Sequence, residues 1–275
     1  MAVNKGTVNI LLVGAMGKMG KAIVQASENY TGPKGEQAKI FGGIEHAGAS
    51  EQGKEIEGIT LPLADKFVSG FEAAEVIIDF SSPMGTELAL SIARERKIPI
   101  VVCTTGLSDE LEGKVRELSL VVPVIRATNT SVVVTVLNEL AAQAAKMLGS
   151  GFDVELVELH HKMKRDAPSG TALTILEHVA KARHTNLNEK LVTARSGQDA
   201  LRKEGELSAV AIRGGDATGE HTLYFIGNGE RLELTQRSTS RVVYAEGSLR
   251  AALWLAGKRK SGCENGYFSM RDVLL

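Results

Sequence analysis

Short apolar runs alternate with amphipathic segments along the first half of the chain. The runs have the length and near-continuous hydrophobicity of strands buried on both faces of a parallel sheet, and they lie at 8–13, 38–44, 75–80, 98–103 and 120–125. Helices are expected between them at about 18–28, 85–97 and 108–118, with Ser108 as the N-cap of the last. This alternation predicts an α/β fold built on a Rossmann-like, doubly wound parallel sheet.

The pattern changes after about residue 130. A long helix is expected at 131–148, and the strand at 152–159 alternates apolar and polar residues, as a half-exposed strand does. Strands joined by glycine-rich turns follow, and 242–259 returns to helix. We therefore predict an inserted α+β domain of mixed or antiparallel sheet. The dinucleotide-binding domain would comprise 1–130 plus 241–275, and the substrate-binding and oligomerisation domain 131–240.

The composition excludes several classes of protein. The formal net charge is −1 over 275 residues, so nothing favours nucleic acid as a partner. Cys103 and Cys263 form neither a metal-binding nor a disulfide pattern, which is typical of a reducing cytosol. The N-terminal segment lacks the features of a signal peptide, and no apolar run reaches the ~18 residues of a membrane span. We expect no membrane partner and a cytoplasmic protein, or a plastid one if the chain is a processed plant-type form.

The first candidate site is the glycine-rich segment GAMGKMG at 14–20. Gly14, Gly17 and Gly20 would let the chain turn after the strand, bring its backbone to a phosphate and pack the next helix closely on the sheet. The spacing is G-x-x-G-x-x-G rather than G-x-G-x-x-G, and a glycine-rich turn without a ligand is the alternative. Glu45 ends the second strand, where an acid can bind the ribose hydroxyl of a dinucleotide.

This segment predicts NADH and/or NADPH as the cofactor. Glu45 favours the free ribose hydroxyl of NADH, whereas His46 and Lys18 leave room for the extra phosphate of NADPH. We expect NADH to be at least as good as NADPH. The segments 103–106 and 127–131 stand at the ends of later strands, the edge where open α/β sheets bind ligands. Ordinary strand-end turns are the alternative there.

The second candidate site is the polar connection between a strand and a helix at 157–176. His160 and His161 are adjacent, so their side chains would point to opposite faces of a continuing strand, and no nearby cysteine completes a zinc site. We therefore expect no metal. The connection also lacks the aromatic residues of a nucleic-acid site.

A solvated loop does not account for the Ser-Gly-Thr at 169–171, which would open a helix whose free N–H groups bind anions. Lys164 adds a positive charge, and a histidine at the strand end can donate a proton near pH 7. Together these features predict a site for a small carboxylate substrate.

The segment ELHHKMKRDAPSGTA at 158–172 closely resembles the signature of the 4-hydroxy-tetrahydrodipicolinate reductase (dihydrodipicolinate reductase) family of the lysine pathway. That pattern is E-x-H-H-x-x-K-x-D-A-P-S-G-T-A, and the chain matches every fixed position. VGAMGKMG, IDFSSPMGT, TTG, RGGDATGEHT, GERLELT and SMRDVL also resemble family segments, in the family order. The resemblance implies NAD(P)H-dependent reduction of a cyclic unsaturated dicarboxylate, formed by loss of water from the hydroxylated substrate, to tetrahydrodipicolinate. It also implies a homotetramer.

The resemblance assigns roles to residues. His160 would be the proton donor, and Lys164 a second donor or an orienting group. The two ring carboxylates would be held by His161, Lys164, Ser169, Gly170 and Thr171. The cofactor would be held by Gly14, Ala15, Met16, Gly17, Lys18, Met19, Glu45, His46, Cys103, Thr104, Thr105, Ala127, Thr128, Asn129 and Thr130.

The chain departs from the family pattern at four positions. Cys103 replaces a usual Gly, Thr130 a Phe and Val133 a Gly, and Gln236 stands where many members have His. Cys103 and Thr130 fall near the expected nicotinamide and substrate ring, and Val133 adds a branched side chain where the family needs no Cβ. The changes at 103, 130 and 133 keep open a related oxidoreductase acting on another small dicarboxylate. A catalytically silent nucleotide-binding regulator is a third alternative, which the intact His160, Lys164 and Ser-Gly-Thr disfavour.

Overall fold

The computed structural model describes residues 6–45, 55–56 and 59–275. The chain forms two compact units. The first comprises Met1–Val132 and Arg241–Leu275, and the second Val133–Ser240.

The elements of the two units follow one another along the chain. The first segment contains β1 (Thr7–Val13), α1 (Lys18–Ser27), β2 (Gln37–Ile44), β3 (Glu55–Ile56), β4 (Ile59–Thr60), β5 (Leu63–Ala64), β6 (Val76–Asp79), α2 (Pro83–Arg96), β7 (Ile100–Val102), α3 (Asp109–Leu118) and β8 (Pro123–Arg126). The next contains α4 (Val132–Leu148), a 3-10 turn (Gly149–Gly151), β9 (Asp153–His160), α5 (Gly170–Ala182), α6 (Leu187–Lys190), β10 (Leu191–Val192), β11 (Leu207–Arg213), β12 (Gly219–Ile226) and β13 (Arg231–Ser238). The chain ends with α7 (Val242–Lys260), β14 (Gly266–Phe268) and α8 (Met270–Leu274).

A parallel sheet of seven strands forms the centre of the first unit, in the order β14-β8-β7-β6-β1-β2-β5. Alternate residues of β1 enter two separate apolar cores: Ile10 and Leu12 pack with residues of α1 and α7, whereas Leu11 and Val13 pack with residues of α2 and α3. Helices therefore cover both faces, which explains the continuous apolar runs of the strands. The predicted doubly wound α/β sheet is confirmed.

The strand order reverses beside β1. This strand pairs with β2 on one side and with β6 on the other. In open α/β sheets the crevice at such a reversal, outside the carboxyl ends of the strands, is where ligands bind. Gly14, Glu45 and Asp79 lie at the carboxyl ends of these three strands.

Local capping explains where the helices begin. Ser108 caps α3 as expected, its hydroxyl accepting from the Leu111 N–H at 3.3 Å. Helix α2 starts two residues earlier than expected, because Ser82 caps it and Pro83 occupies its first position. Strand β14 was not predicted, since its 3 residues are too few to show an apolar pattern.

The second unit contains a mixed sheet in the order β10-β11-β9-β12-β13. Strands β10, β11 and β9 are parallel, and β12 is antiparallel to both of its neighbours. One face of this sheet is buried with residues of α4 and α5, among them Leu137, Leu156 and Ile175. The predicted mixed sheet with one covered face is confirmed.

Helix α4 differs from the sequence expectation in one respect. Among the described residues, the stretch Val132–Gly151 is long and apolar enough to cross a membrane by length and composition alone. The expectation counted continuous apolar runs, and this stretch includes polar residues such as Asn138 and Glu139. A core helix of a globular unit passes the same test, so the finding is weak evidence for a span.

Candidate active site

The glycine-rich turn of the first unit has no room for side chains at two positions. Gly14 has φ +86°, and a Cβ there would lie 2.4 Å from the Phe80 carbonyl oxygen. A Cβ on Gly20 would lie 2.2 Å from the Gly14 carbonyl oxygen. Both obstacles are backbone atoms and cannot move aside. These glycines therefore hold the start of α1 tightly against the end of β1, as the sequence predicted.

The amino end of α1 is open. Gly17 is its N-cap, no side chain in the described part of the chain caps it, and both Gly17 and Lys18 are exposed. An uncapped helix start offers N–H groups and the positive end of the helix dipole to an anion. This arrangement suits the phosphates of a dinucleotide.

Glu45 lies directly against the turn. Its Oε1 accepts a hydrogen bond of 2.5 Å from the Met16 N–H. While this bond is present, the Met16 N–H is not available to a phosphate. His46, the other residue expected near the ribose, lies outside the described residues.

A cavity with a volume of about 380 Å³ lies at the carboxyl ends of β1, β2 and β6. Its walls include Gly14, Gly17, Glu45, Ser81 and Asp65. Asp65 was not among the predicted residues, because only the pairing of β5 with β2 brings it to this edge. Two carboxylates, Glu45 and Asp65, thus border the cavity.

Asp79 is a second residue that sequence reasoning missed. It is fully buried, and its carboxylate accepts hydrogen bonds from the hydroxyls of Ser81, of Thr86 at 2.6 Å and of Thr104 at 3.0 Å. Burial raises the pKa of Asp79, although these hydrogen bonds oppose the rise. The carboxylate therefore ties together the loops that follow β6 and β7. An acid at the end of an apolar strand was the available signal.

The remaining predicted cofactor residues divide by exposure. Thr105 and Thr128 are exposed, and Met16, Met19 and Asn129 are partly exposed. Ala15, Cys103, Thr104, Ala127 and Thr130 are buried. A buried residue of this group can touch a ligand only through its backbone or after rearrangement. Contact of any of them with a cofactor stays a prediction.

Two of the residues that depart from the family pattern, Cys103 and Thr130, are buried in the protein interior. The Thr130 hydroxyl donates to the Tyr244 carbonyl at 2.7 Å, and Gly247 of α7 lies so close to Thr130 that a Cβ there would be 1.8 Å from its carbonyl oxygen. Cys103 is buried in the core, and burial, followed by the charge of Asp79, raises its thiol pKa well above the usual value. Its thiol is therefore not a reactive thiolate.

The second candidate site is built on one face of the sheet in the second unit. Glu158 and His160 lie two residues apart on β9, so their side chains share the buried face. His221 of β12 stands directly opposite Glu158. The three residues each offer a ligand atom, all within 4.8 Å of one another, which is a possible set of metal ligands. Arg213 also binds the Glu158 carboxylate, at 2.8 Å, and its charge opposes a metal ion there. The expectation of no metal stays a prediction.

Burial changes the chemistry expected of His160. Desolvation lowers its pKa to about 4; the Glu158 charge opposes this effect, whereas His221, Lys164 and Arg213 add to it. The sequence argument assumed a histidine able to donate near pH 7. At a pKa of about 4 the ring is neutral at that pH without a ligand, and proton donation by His160 stays a prediction.

The polar loop after β9 lies at the end of the same sheet. Backbone bonds tie His161 to Ala217 at 2.8 Å and Lys162 to Gly215 at 3.2 Å. Lys164 is partly exposed, and its ammonium lies 2.9 Å from the Asp166 carboxylate. The loop contains a cis peptide bond between Ala167 and Pro168. His161 and Lys164 are thus held at the surface beside His160.

Helix α5 begins as predicted, with Ser169 as its N-cap. The Ser169 hydroxyl accepts from the Ala172 N–H at 3.1 Å, and its own N–H donates to Glu158 at 3.0 Å. Ser169 is buried, so the structure gives it an internal role, and its contact with a substrate stays a prediction. Gly170 is exposed with open space around its Cα.

Comparison with known proteins identifies the family. The family model described as dihydrodipicolinate reductase, N-terminus, matches residues 8–130, and that described as dihydrodipicolinate reductase, C-terminus, matches 133–274. The chain belongs to the dihydrodipicolinate reductase family. The 4-hydroxy-tetrahydrodipicolinate reductase of Ralstonia nicotianae is 40% identical over 270 residues, which cover 96% of this chain and 98% of the relative. That of Campylobacter concisus is 39% identical over 268 residues, with 97% and 98% covered.

A solved structure has the same fold. The dipicolinate-bound dihydrodipicolinate reductase from Paenisporosarcina sp. TG-14 matches with a TM-score of 0.68 and 20% identity, over 95% of this chain and 98% of that one. At this identity the match shows the fold alone. The family suggested by the signature segment is confirmed by the family models and the relatives, and the α/β fold predicted from the alternation of strands and helices by this structure.

Proposed function

We propose that this protein reduces 4-hydroxy-tetrahydrodipicolinate to tetrahydrodipicolinate in lysine and diaminopimelate biosynthesis, with NADH or NADPH as the hydride source. The observation that carries the proposal is the His160–Lys164 pair, held between the end of β9 and the start of α5 by the residues of the family signature. The relatives named above carry this activity in their names. The first unit would bind the dinucleotide and the second the dicarboxylate.

Separate groups would supply the hydride, bind the dinucleotide, bind the carboxylates and deliver the proton. Nicotinamide, when bound, supplies the hydride. The open start of α1 and the cavity beside Glu45 would hold the dinucleotide. Lys164 and the start of α5 would hold the two carboxylates, because a cation and helix N–H groups both attract anions. His160 would deliver the proton to the ring carbon next to the one that receives the hydride.

The low pKa of His160 fits this role once the substrate is considered. The substrate is a dianion, and negative charge beside an imidazole favours its protonated form. Binding would therefore raise the pKa of His160 from about 4 and charge the ring when the donor is needed. Without a ligand the His160 ring is neutral mainly because it is buried, and the charges of Lys164 and Arg213 add to the lowering of its pKa.

Steady-state kinetics of two variants test these roles. His160→Ala is expected to lower kcat by about 10²–10⁴-fold with little change in KM, because a proton donor acts on the transition state. Lys164→Ala should lower kcat and raise KM, because the ammonium also binds the substrate. A His160→Ala enzyme with full turnover would remove His160 from this role.

The cofactor preference is tested by the affinities for NADH and NADPH. Glu45 and Asp65 both border the cavity, and two carboxylates repel an added phosphate. We expect NADH to bind at least as tightly as NADPH, and Asp65→Asn to improve NADPH binding more than NADH binding. Lys97→Gln, on an exposed turn outside this cavity, is the control. A strong NADPH preference in the wild-type chain would contradict the expectation.

The unusual residues do not favour another substrate. Cys103 and Thr130 are buried, and the hydroxyl of Thr130 donates to the Tyr244 carbonyl of α7. The alternatives of a shifted dicarboxylate specificity and of a silent regulator therefore gain no support from these positions.

We also propose a cytoplasmic homotetramer. Val210, Ile212 and Ile226 are exposed apolar residues on the uncovered face of the sheet in the second unit. Apolar side chains grouped on an uncovered sheet are typical of an interface between subunits.

A further inference from the structure

A buried carboxylate lies beside the proposed proton donor. Oε2 of Glu158 is 3.3 Å from Nδ1 of His160. Both atoms are buried, and among the described residues neither has a well-formed hydrogen bond to any other group. A buried polar atom without a hydrogen-bond partner is costly inside a protein. The two atoms can satisfy each other if Nδ1 carries a proton.

The other oxygen of Glu158 is already occupied. Oε1 accepts from the Ser169 N–H at 3.0 Å and from Arg213 Nη2 at 2.8 Å. These two donors fix the orientation of the carboxylate and leave Oε2 facing the imidazole. Burial raises the pKa of Glu158, but these hydrogen bonds and the charge of His160 outweigh that effect and lower it overall. The group is therefore an acceptor only.

His221 does not compete for Oε2, although its Nε2 lies 3.7 Å away. Its Nδ1 is 3.2 Å from Oε1 of Gln236, and the Gln236 amide nitrogen donates to the Ser238 hydroxyl at 2.7 Å. With the amide oriented in this way, Nδ1 of His221 must carry the proton. Its Nε2 then has only a lone pair, which the Ser169 hydroxyl faces at 3.3 Å.

We infer that Glu158 is a positioning residue that holds His160 in its Nδ1–H tautomer, so that Nε2 is the atom that exchanges the proton. Gln236 supports this arrangement by fixing His221 in a form that cannot donate to Glu158. In the protonated ring, Nδ1–H stays on Glu158 and the Nε2 proton is transferred. Hydride from the reduced nicotinamide and this proton together saturate one double bond and leave oxidised cofactor and neutral His160. The transfer step rests on the proposed function, whereas the tautomer does not.

The tautomer can be measured without turnover. The chain has 6 histidines, and ring-¹⁵N labelling near neutral pH reports which nitrogen of each carries the proton. The His160 signals are assigned by their absence from a His160→Asn variant. The expected result for the wild-type protein is a protonated Nδ1. A protonated Nε2 in neutral His160 would overturn the inference, even if no Glu158 variant folds.

The Glu158→Gln variant is expected to have the opposite tautomer of His160. Arg213 and the Ser169 N–H both require the amide oxygen, so the amide NH₂ would face Nδ1 of His160 and make it an acceptor. The tautomer should switch to Nε2–H, and kcat should fall by about 10²-fold or more with little change in KM. Asp166→Asn removes the same charge from an exposed position and should leave the tautomer of His160 unchanged.

Two outcomes separate this inference from its alternatives. If Glu158→Gln keeps the Nδ1–H tautomer, or if it raises KM at unchanged kcat, Glu158 only supports the start of α5 and the inference fails. If the wild-type protein has the expected tautomer but does not reduce the proposed substrate, the proposed function fails and the positioning role stands.

Discussion

The properties of the site depend first on where single side chains are buried. His160 was expected from its type and its place at a strand end, but its pKa of about 4 follows from burial and from the cations around it. A sequence pattern shows which groups are present and not how far water is excluded from them. Ser169, Cys103 and Thr130 were likewise predicted to contact a ligand, yet the structure buries their side chains.

The pH dependence of turnover follows from the same residue. The proton donor acts when charged, so activity is lost as the pH rises through its pKa. For kcat/KM this is the pKa of the free enzyme, and for kcat that of the substrate complex. The substrate dianion should raise the latter, so the alkaline limb of kcat should lie about one pH unit or more above that of kcat/KM. His160→Gln should remove the alkaline limb from both profiles. Alkaline limbs at the same pH in the two wild-type profiles would contradict the predicted rise in the pKa of His160 on substrate binding.

At the scale of elements, local signals predicted what the strands and helices are, and pairing decided what they bring together. The alternation of strands and helices, the Ser108 cap and the start of α5 were all visible in the sequence. The contact between β9, β12 and β13 was not, because the register that places His221 opposite both Glu158 and Gln236 joins segments far apart along the chain. Strand β14 could not be predicted because its 3 residues are too few to show an apolar pattern.

The turn between β1 and α1 gives a matched pair of glycine substitutions. Gly20→Ala places a Cβ against the backbone of Gly14 and Ala15, so it should cost about 1–3 kcal/mol of stability and weaken NADH binding. Gly113→Ala, in helix α3 with nothing within 4 Å of the new Cβ, should instead stabilise the protein by about 0.5–1 kcal/mol. Thermal unfolding and cofactor titration of both variants measure the difference. Equal stability and equal NADH affinity of the two variants would show that the close approach of α1 to β1 contributes to neither.

At the scale of the whole molecule, the sequence predicted a parallel sheet with an inserted mixed sheet, and both are present. Composition could not predict which sheet face stays uncovered, since that depends on where α4 and α5 pack. The uncovered face is the basis of the proposed assembly.

Light scattering tests the assembly directly. Ile212 is 48% exposed on β11, and a charged residue there would be buried without a partner in any interface over this sheet. Ile212→Glu should shift the protein from a tetramer to smaller species. Leu120→Glu, at a residue that is 75% exposed in the first unit, should leave the mass unchanged. A monomeric wild-type protein would contradict the proposed homotetramer.

The central claim is that this chain catalyses a cofactor-dependent reduction. The most direct measurement is the oxidation of NADH or NADPH by the purified protein, followed by absorbance, with freshly made 4-hydroxy-tetrahydrodipicolinate. Oxidation is expected to depend on the substrate and to be largely lost in His160→Ala. Tight binding of the cofactor without any oxidation would contradict it and would favour a nucleotide-binding regulator.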